Sequence, residues 1–193
     1  LKPEIIALGG GVISTRGQFS IGSPYYSSDG TSMSAPAVTG GLALLYERYR
    51  QLKSNANPNG SLMKALLLNG ARDMGNPGPD YRYGYGAMHL ENSLRMLEGG
   101  TYSQRSVGQN QQQDTVISVP AGMAALKVLL YWHDQPANVL APKSLVNDLD
   151  LQVIGPNGTS LPFILNSSPG SVTANAVQGL DRVNNSEQVV INN

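Results

Sequence analysis

Through the first hundred residues the apolar positions recur at helical spacing, and beyond them they alternate with polar ones. EIIAL, residues 4–8, is a short apolar run closed by Gly9, Gly10 and Gly11, which predicts a brief buried strand emptying into a turn. From Met33 to about Leu52, Ala37, Val38, Leu42, Leu44, Leu45 and Tyr49 predict a mostly buried helix beginning near Thr31 or Ser32. Pro36 falls in its first turns, where a missing amide hydrogen costs least. Gly40 and Gly41 cost about 1 kcal/mol each relative to alanine, which points to another backbone packed closely there. A second helix is expected from Ser61 as N-cap through Leu68 to the Asn69-Gly70 pair, and a third from about Leu90 to Leu97, stopped by Gly99-Gly100. Between them NPGPDYRYGYG, residues 76–86, reads as a loop that locks connections.

The pattern changes near residue 100. TYSQRSVGQNQQQ is polar and without period, and after it TVISVP, LKVLLYW, LDLQVIG, LPFIL and EQVVI read as five short strands separated by Pro, Gly and Asn. Asn157-Gly158 is a hairpin signal. The organisation expected is an α/β portion over residues 1–99, a linker over 100–114, and an antiparallel β-sandwich over 115–193.

Composition narrows the function without naming it. Thirteen basic residues balance thirteen acidic ones with no basic block, so no field draws nucleic acid. The absence of cysteine excludes a disulfide framework and a thiolate zinc site. No apolar run approaches the roughly 18 residues of a membrane span. LKPEIIALGG has no signal-peptide layout, and SEQVVINN stops within an alternating stretch, so both ends read as cut from a longer chain.

The candidate chemistry lies in GTSMSAP, residues 30–36, where a glycine turn passes into the first long helix. A helix start offers free N–H groups and the positive end of its dipole, which favour an anion beside Ser32. Small neighbours, Gly30, Thr31, Ser34 and Ala35, leave room for a substrate carbonyl. On local physics Thr31, Ser32 or Ser34 is equally an ordinary N-cap, since a serine hydroxyl is a weak nucleophile without a base.

GTSMSAP closely resembles the serine block of the subtilisin-like serine peptidases, usually GTSMA followed by Ser-Pro or Ala-Pro. KPEIIALGGGVIST, residues 2–15, is similar to the stretch before that block, departing from it at Glu4 and Leu8. LMKALLLNGARDMG and PDYRYGYGAMHLENSL are similar to the family's two helices and Tyr-Gly-Tyr-Gly loop on the C-terminal side of the serine. The resemblance covers residues 1–98 and implies the C-terminal part of a parallel-sheet α/β domain, mainly its helices. It implies that Ser32 is the nucleophile of an endopeptidase acting through an acyl-enzyme, that its N–H is an oxyanion donor, and that Gly30 and Thr31 belong to the oxyanion and substrate loop. It implies a polypeptide substrate, secretion or placement in the cell envelope, and no cofactor for the chemistry. The family's order is Asp, His, Ser, so the acid, the base and the missing N-terminal half of the domain are expected upstream. His89 and His133 stand in no family catalytic block, so the isolated chain is expected to be inactive. Of the substrate-pocket walls only YYSSDG, residues 25–30, is expected here.

YWHDQPA, LVNDLDLQVIGPNG and DRVNNSEQVVI are similar to the C-terminal, jelly-roll-like β-sandwich of the oxidatively stable alkaline proteases. On a strand Asp148 and Asp150 share a face, and the repulsion between them calls for a neutralising partner. A structural calcium is one reading, with Asn147 and Asp134 adding oxygens; a solvated edge-strand face is the other. A non-catalytic binding module, whose sandwich recognises a surface or polypeptide, is the alternative to the enzyme. Sequons at Asn59, Asn157, Asn166 and Asn184 matter only in a glycosylating host.

Overall fold

The computed structural model describes residues 1–17 and 22–192; Asn193, the last residue of the expected second part, lies outside them. Three helices form where the 3.6-residue period predicts them: α1 Thr31–Leu52, α2 Gly60–Gly70 and α3 Leu90–Glu98. Around them run β1 Val12–Thr15, β2 Tyr25–Ser28, β3 Ala125–Tyr131, β4 Val153–Gly155, β5 Gly158–Ser160, β6 Phe163–Ile164, β7 Val177–Gln178 and β8 Ser186–Asn192.

The core sits where the helices meet. Leu62, Met63, Leu66 and Leu67 of α2 are buried against Leu45 of α1 and Leu97 of α3. Gly70 closes α2 and also lets α3 approach: a Cβ there would stand 2.8 Å from the Ser93 nitrogen. Ser61 does not cap this helix; Asn59 holds that place without a side-chain bond. Helix α1 departs from expectation more widely, since only Gly41 and Leu45 are buried on it and Leu44 is 61% exposed. Its two glycines also separate in role. A Cβ on Gly41 would come 2.8 Å from Leu90, whereas one on Gly40 would meet nothing within 4 Å.

EIIAL does not become a full strand. Only Ile6 bridges, parallel to Ala87, through Ile6 N–H to Gly86 O at 3.1 Å and Met88 N–H to Ile6 O at 2.9 Å. Its partner is the tyrosine-glycine loop, which Asp80 organises by accepting from the amides of Arg82, Tyr83 and Asn76. Gly84 and Gly86, at φ 63° and 117°, lie so close to the Pro3 and Arg72 carbonyls that a side chain would collide.

Beyond residue 100 the described strands pair as two-stranded antiparallel ladders, β3–β8, β4–β5 and β6–β7, alongside β1–β2 nearer the start. The expected sandwich of larger sheets is not what these pairings build. TVISVP finds no partner, and Val116 is 96% exposed. The strand read over LDLQVIG is confined to β4, while Asn157-Gly158 turns the β4–β5 hairpin as expected. The β3–β8 ladder lies against α2: Lys127 Nζ donates to Ala71 O at 3.0 Å, and Asn69 donates to Lys127 O at 3.3 Å and accepts from Gln188 at 3.3 Å. Burial lowers the Lys127 ammonium below its ordinary pKa.

Candidate active site

The turn into α1 is built on two glycine contacts. Gly30 is the N-cap at φ 147°, a backbone conformation that disfavours a side chain, and its N–H donates to Gly9 O at 2.7 Å. Gly9 is equally confined, because a Cβ would stand 2.1 Å from Ser34 Oγ and 2.6 Å from Gly30 O. The Gly11 amide donates to the Asp29 carboxylate at 2.5 Å, which ties the incoming chain to the residue before the turn. The antiparallel β1–β2 pair, in register from Val12↔Ser28 to Thr15↔Tyr25, delivers YYSSDG to this point.

Thr31 and Ser32 are therefore the first two residues of α1, and no side chain caps it. That separates the two readings of the serine block: the capping place belongs to a glycine, and Ser32 is one residue inside the helix and exposed. The first turn itself carries no acidic residue to offset its positive dipole end beside the Ser32 hydroxyl. The arrangement suits an anion forming next to Oγ.

Among the described residues, neither histidine is tied into this turn. His89 is the N-cap of α3, where its Nδ1 accepts from Asn92 N–H at 3.3 Å. Its neighbours Met88 and Leu90 touch α1 at Gly41, nine residues beyond Ser32 and so about 14 Å along the helix. His133 follows β3 at its exposed end.

The four residues considered for calcium fall into two groups. Asp134 accepts from the amides of Val146, Asn147 and Gln135 and from the Asn147 side chain. Desolvation works to raise its pKa, and these hydrogen bonds outweigh it, leaving the carboxyl below the usual range. Asp148 pairs with Lys143 at 3.0 Å and Arg182 at 3.4 Å, and Asp150 pairs with Arg182 at 2.8 Å. Neither aspartate lies in a strand, so a shared strand face is not what brings them together; Arg182 is. Its own pKa is raised by the bond to Asp150. Among the described residues no three acidic or histidine side chains group as metal ligands.

Sequence reasoning placed Asp29 within the YYSSDG pocket wall but passed over its bond to the Gly11 amide, and it passed over Gly9 as part of this site. The triplet Gly9–Gly11 was the available signal, since a run of glycines before a helix start marks close backbone approach.

Residues 1–86 match the Subtilase family, Peptidase_S8, so the resemblance read from the serine block is shown for the first part of the chain. Serine protease AprX of Bacillus subtilis (strain 168) is 34% identical over 103 residues, covering 48% of this chain and 22% of that protein. Serine protease/ABC transporter B family protein tagD of Dictyostelium discoideum is 25% identical over 98% of this chain and 14% of its own length. Among solved structures, the CspB protease of Clostridium perfringens is 30% identical, with 51% of this chain and 21% of that chain covered at a TM-score of 0.44. The chain spans between 6% and 22% of the length of four curated relatives that it matches.

Proposed function

We propose that this chain carries the nucleophile-bearing part of a subtilisin-like serine endopeptidase that hydrolyses polypeptides. The observation behind the reading is exposed Ser32 at the second position of a helix with a glycine cap, no side-chain cap and no acidic residue in its first turn. The Subtilase match over residues 1–86 supports it.

In the proposed reaction Ser32 Oγ bonds to the scissile carbonyl carbon while its proton passes to a histidine. The carbonyl oxygen becomes an oxyanion facing the free amides of α1, that of Ser32 among them. The peptide C–N bond then breaks, the amine leaves with that proton, and water hydrolyses the ester to restore the hydroxyl. The histidine and its aspartate come from an upstream segment of the same polypeptide, in the family's chain order. Leu44 at 61% exposure, Leu8 at 75% and Ile13 at 72%, with a groove of about 350 Å³ between α1 and α3, are apolar surface that such a segment would cover. Secretion is part of this reading; among the described residues no helix is long and apolar enough to cross a membrane.

The test is turnover of an unstructured polypeptide by the full-length protein. Ser32→Ala is expected to lower kcat about 10⁶-fold, and the isolated 193-residue chain to show none. Turnover in Ser32→Ala within about tenfold of the parent would sink the assignment.

A further inference from the structure

Strand β8 buries a carboxyl group that is only half bonded. Glu187 is 1% exposed; its Oε2 accepts from the Leu151 amide at 2.6 Å, while its Oε1 is buried with no hydrogen-bond partner. An ionised carboxylate out of water needs several donors or a cation, and here one amide is supplied. No ion pair reaches Glu187 among the described residues.

The surroundings act in the same direction. Asp181 in the turn before β8, and Asp150 and Asp148 in the segment that runs to Leu151, each disfavour its ionised form as like charges. Arg182 is committed to Asp150 and Asp148. Tyr85, on the tyrosine-glycine loop, donates its hydroxyl to Ser186 Oγ at 3.0 Å, and its own pKa is pushed up to about 12 by burial. On β3 the residue in register with Glu187 is Leu130, which offers no polar group from its side chain. The nearest cation of that strand, Lys127, is opposite Val190 and bonded to Ala71 O.

We propose that Glu187 is a protonation-dependent clamp: as the neutral acid it stays buried between the chain at Leu151 and β8, and on losing its proton the carboxylate, whose Oε1 has no partner there, turns out to water, giving up the Leu151 amide and loosening that junction. The segment it holds carries Asp148 and Asp150, so release of Leu151 also unseats their pairs with Arg182. Burial pushes the Glu187 carboxyl up to about 7. The folded state therefore keeps its proton where the unfolded chain, at the ordinary value near 4.5, has lost it. Stability from this group is full below about pH 4.5, falls as pH rises toward about 7, and stays low above that. The clamp acts on the fold of this region and does not depend on the peptidase reading.

Carboxyl ¹³C resonances of the full chain, titrated by NMR, test it directly. Glu187 is expected to titrate about two pH units above the exposed glutamates, and the Leu151 amide to lose exchange protection, corrected for its intrinsic rate, over the same interval. Glu187→Gln, which keeps an oxygen for Leu151 and cannot ionise, is expected to remove both the fall in unfolding midpoint between about pH 5 and about pH 8 and the loss of protection. If Glu187 titrates with the other glutamates, or if Leu151 keeps its protection while Glu187 ionises, the clamp is wrong. Both readings come from the parent protein, so they stand even if Glu187→Gln fails to fold.

Discussion

Ser32 occupies the second position of a helix whose cap is a glycine, and that placement has a consequence for stability as well as for chemistry. A capping serine replaced by alanine costs about 1 kcal/mol, but a serine inside the first turn of an uncapped helix has no such bond to lose. Ser32→Ala is therefore expected to leave the unfolding free energy within about 0.5 kcal/mol of the parent, measured by urea denaturation, while abolishing turnover. Gly9 behaves oppositely. A methyl group there meets Ser34 Oγ and the Gly30 carbonyl, so Gly9→Ala is expected to destabilise by roughly 1–3 kcal/mol in the same measurement and to displace the turn that presents Ser32. The serine was legible because seven contiguous residues carry its signature. The contacts of Gly9 and Asp29 were not, because they join segments some twenty residues apart.

The helices show how far periodicity alone carries. Their spans emerged within a few residues because helical bonds are local, and an apolar residue every three or four positions suffices to place them. The strands fared worse: a ladder needs a partner from elsewhere in the chain, and TVISVP, as alternating as LKVLLYW, has none while β3 has β8. Burial was also illegible at this scale, since the same stripe on α1 is apolar whether or not something covers it. The glycine pair inside α1 makes this testable. Gly40→Ala, opening into free space, is expected to stabilise by up to about 1 kcal/mol through helix propensity, and Gly41→Ala to destabilise by pushing Leu90 and Met88 away, both read from thermal unfolding midpoints. Equal shifts in the two variants would contradict the packing described for α1 and α3.

Across the whole molecule, the acidic segment before β4 and the exposed face of α1 pose the same question of what completes the fold. For the acidic pair the chain supplies its own answer, because Arg182 reaches both Asp148 and Asp150. Added calcium is accordingly expected to leave the unfolding midpoint of the parent unchanged, and to raise that of Arg182→Ala, in which Asp150 loses its ion pair and Asp148 keeps only Lys143. A shift in the parent that disappears in Asp148→Asn would put calcium at these residues instead. On the proposed reading the apolar face of α1 is covered by the same upstream segment that brings the base, since His89 is bound to the start of α3. The relatives extend far beyond the length matched here, which is consistent with both demands coming from one longer chain.

The central claim is that Ser32 is the nucleophile, and a fluorophosphonate probe tests it most directly. Full-length protein labelled with such a probe, digested and mapped by mass spectrometry, is expected to carry the phosphonyl group on the peptide containing Ser32 and to lose it in Ser32→Ala. A phosphonyl adduct on another residue, with labelling undiminished in Ser32→Ala, would contradict the account.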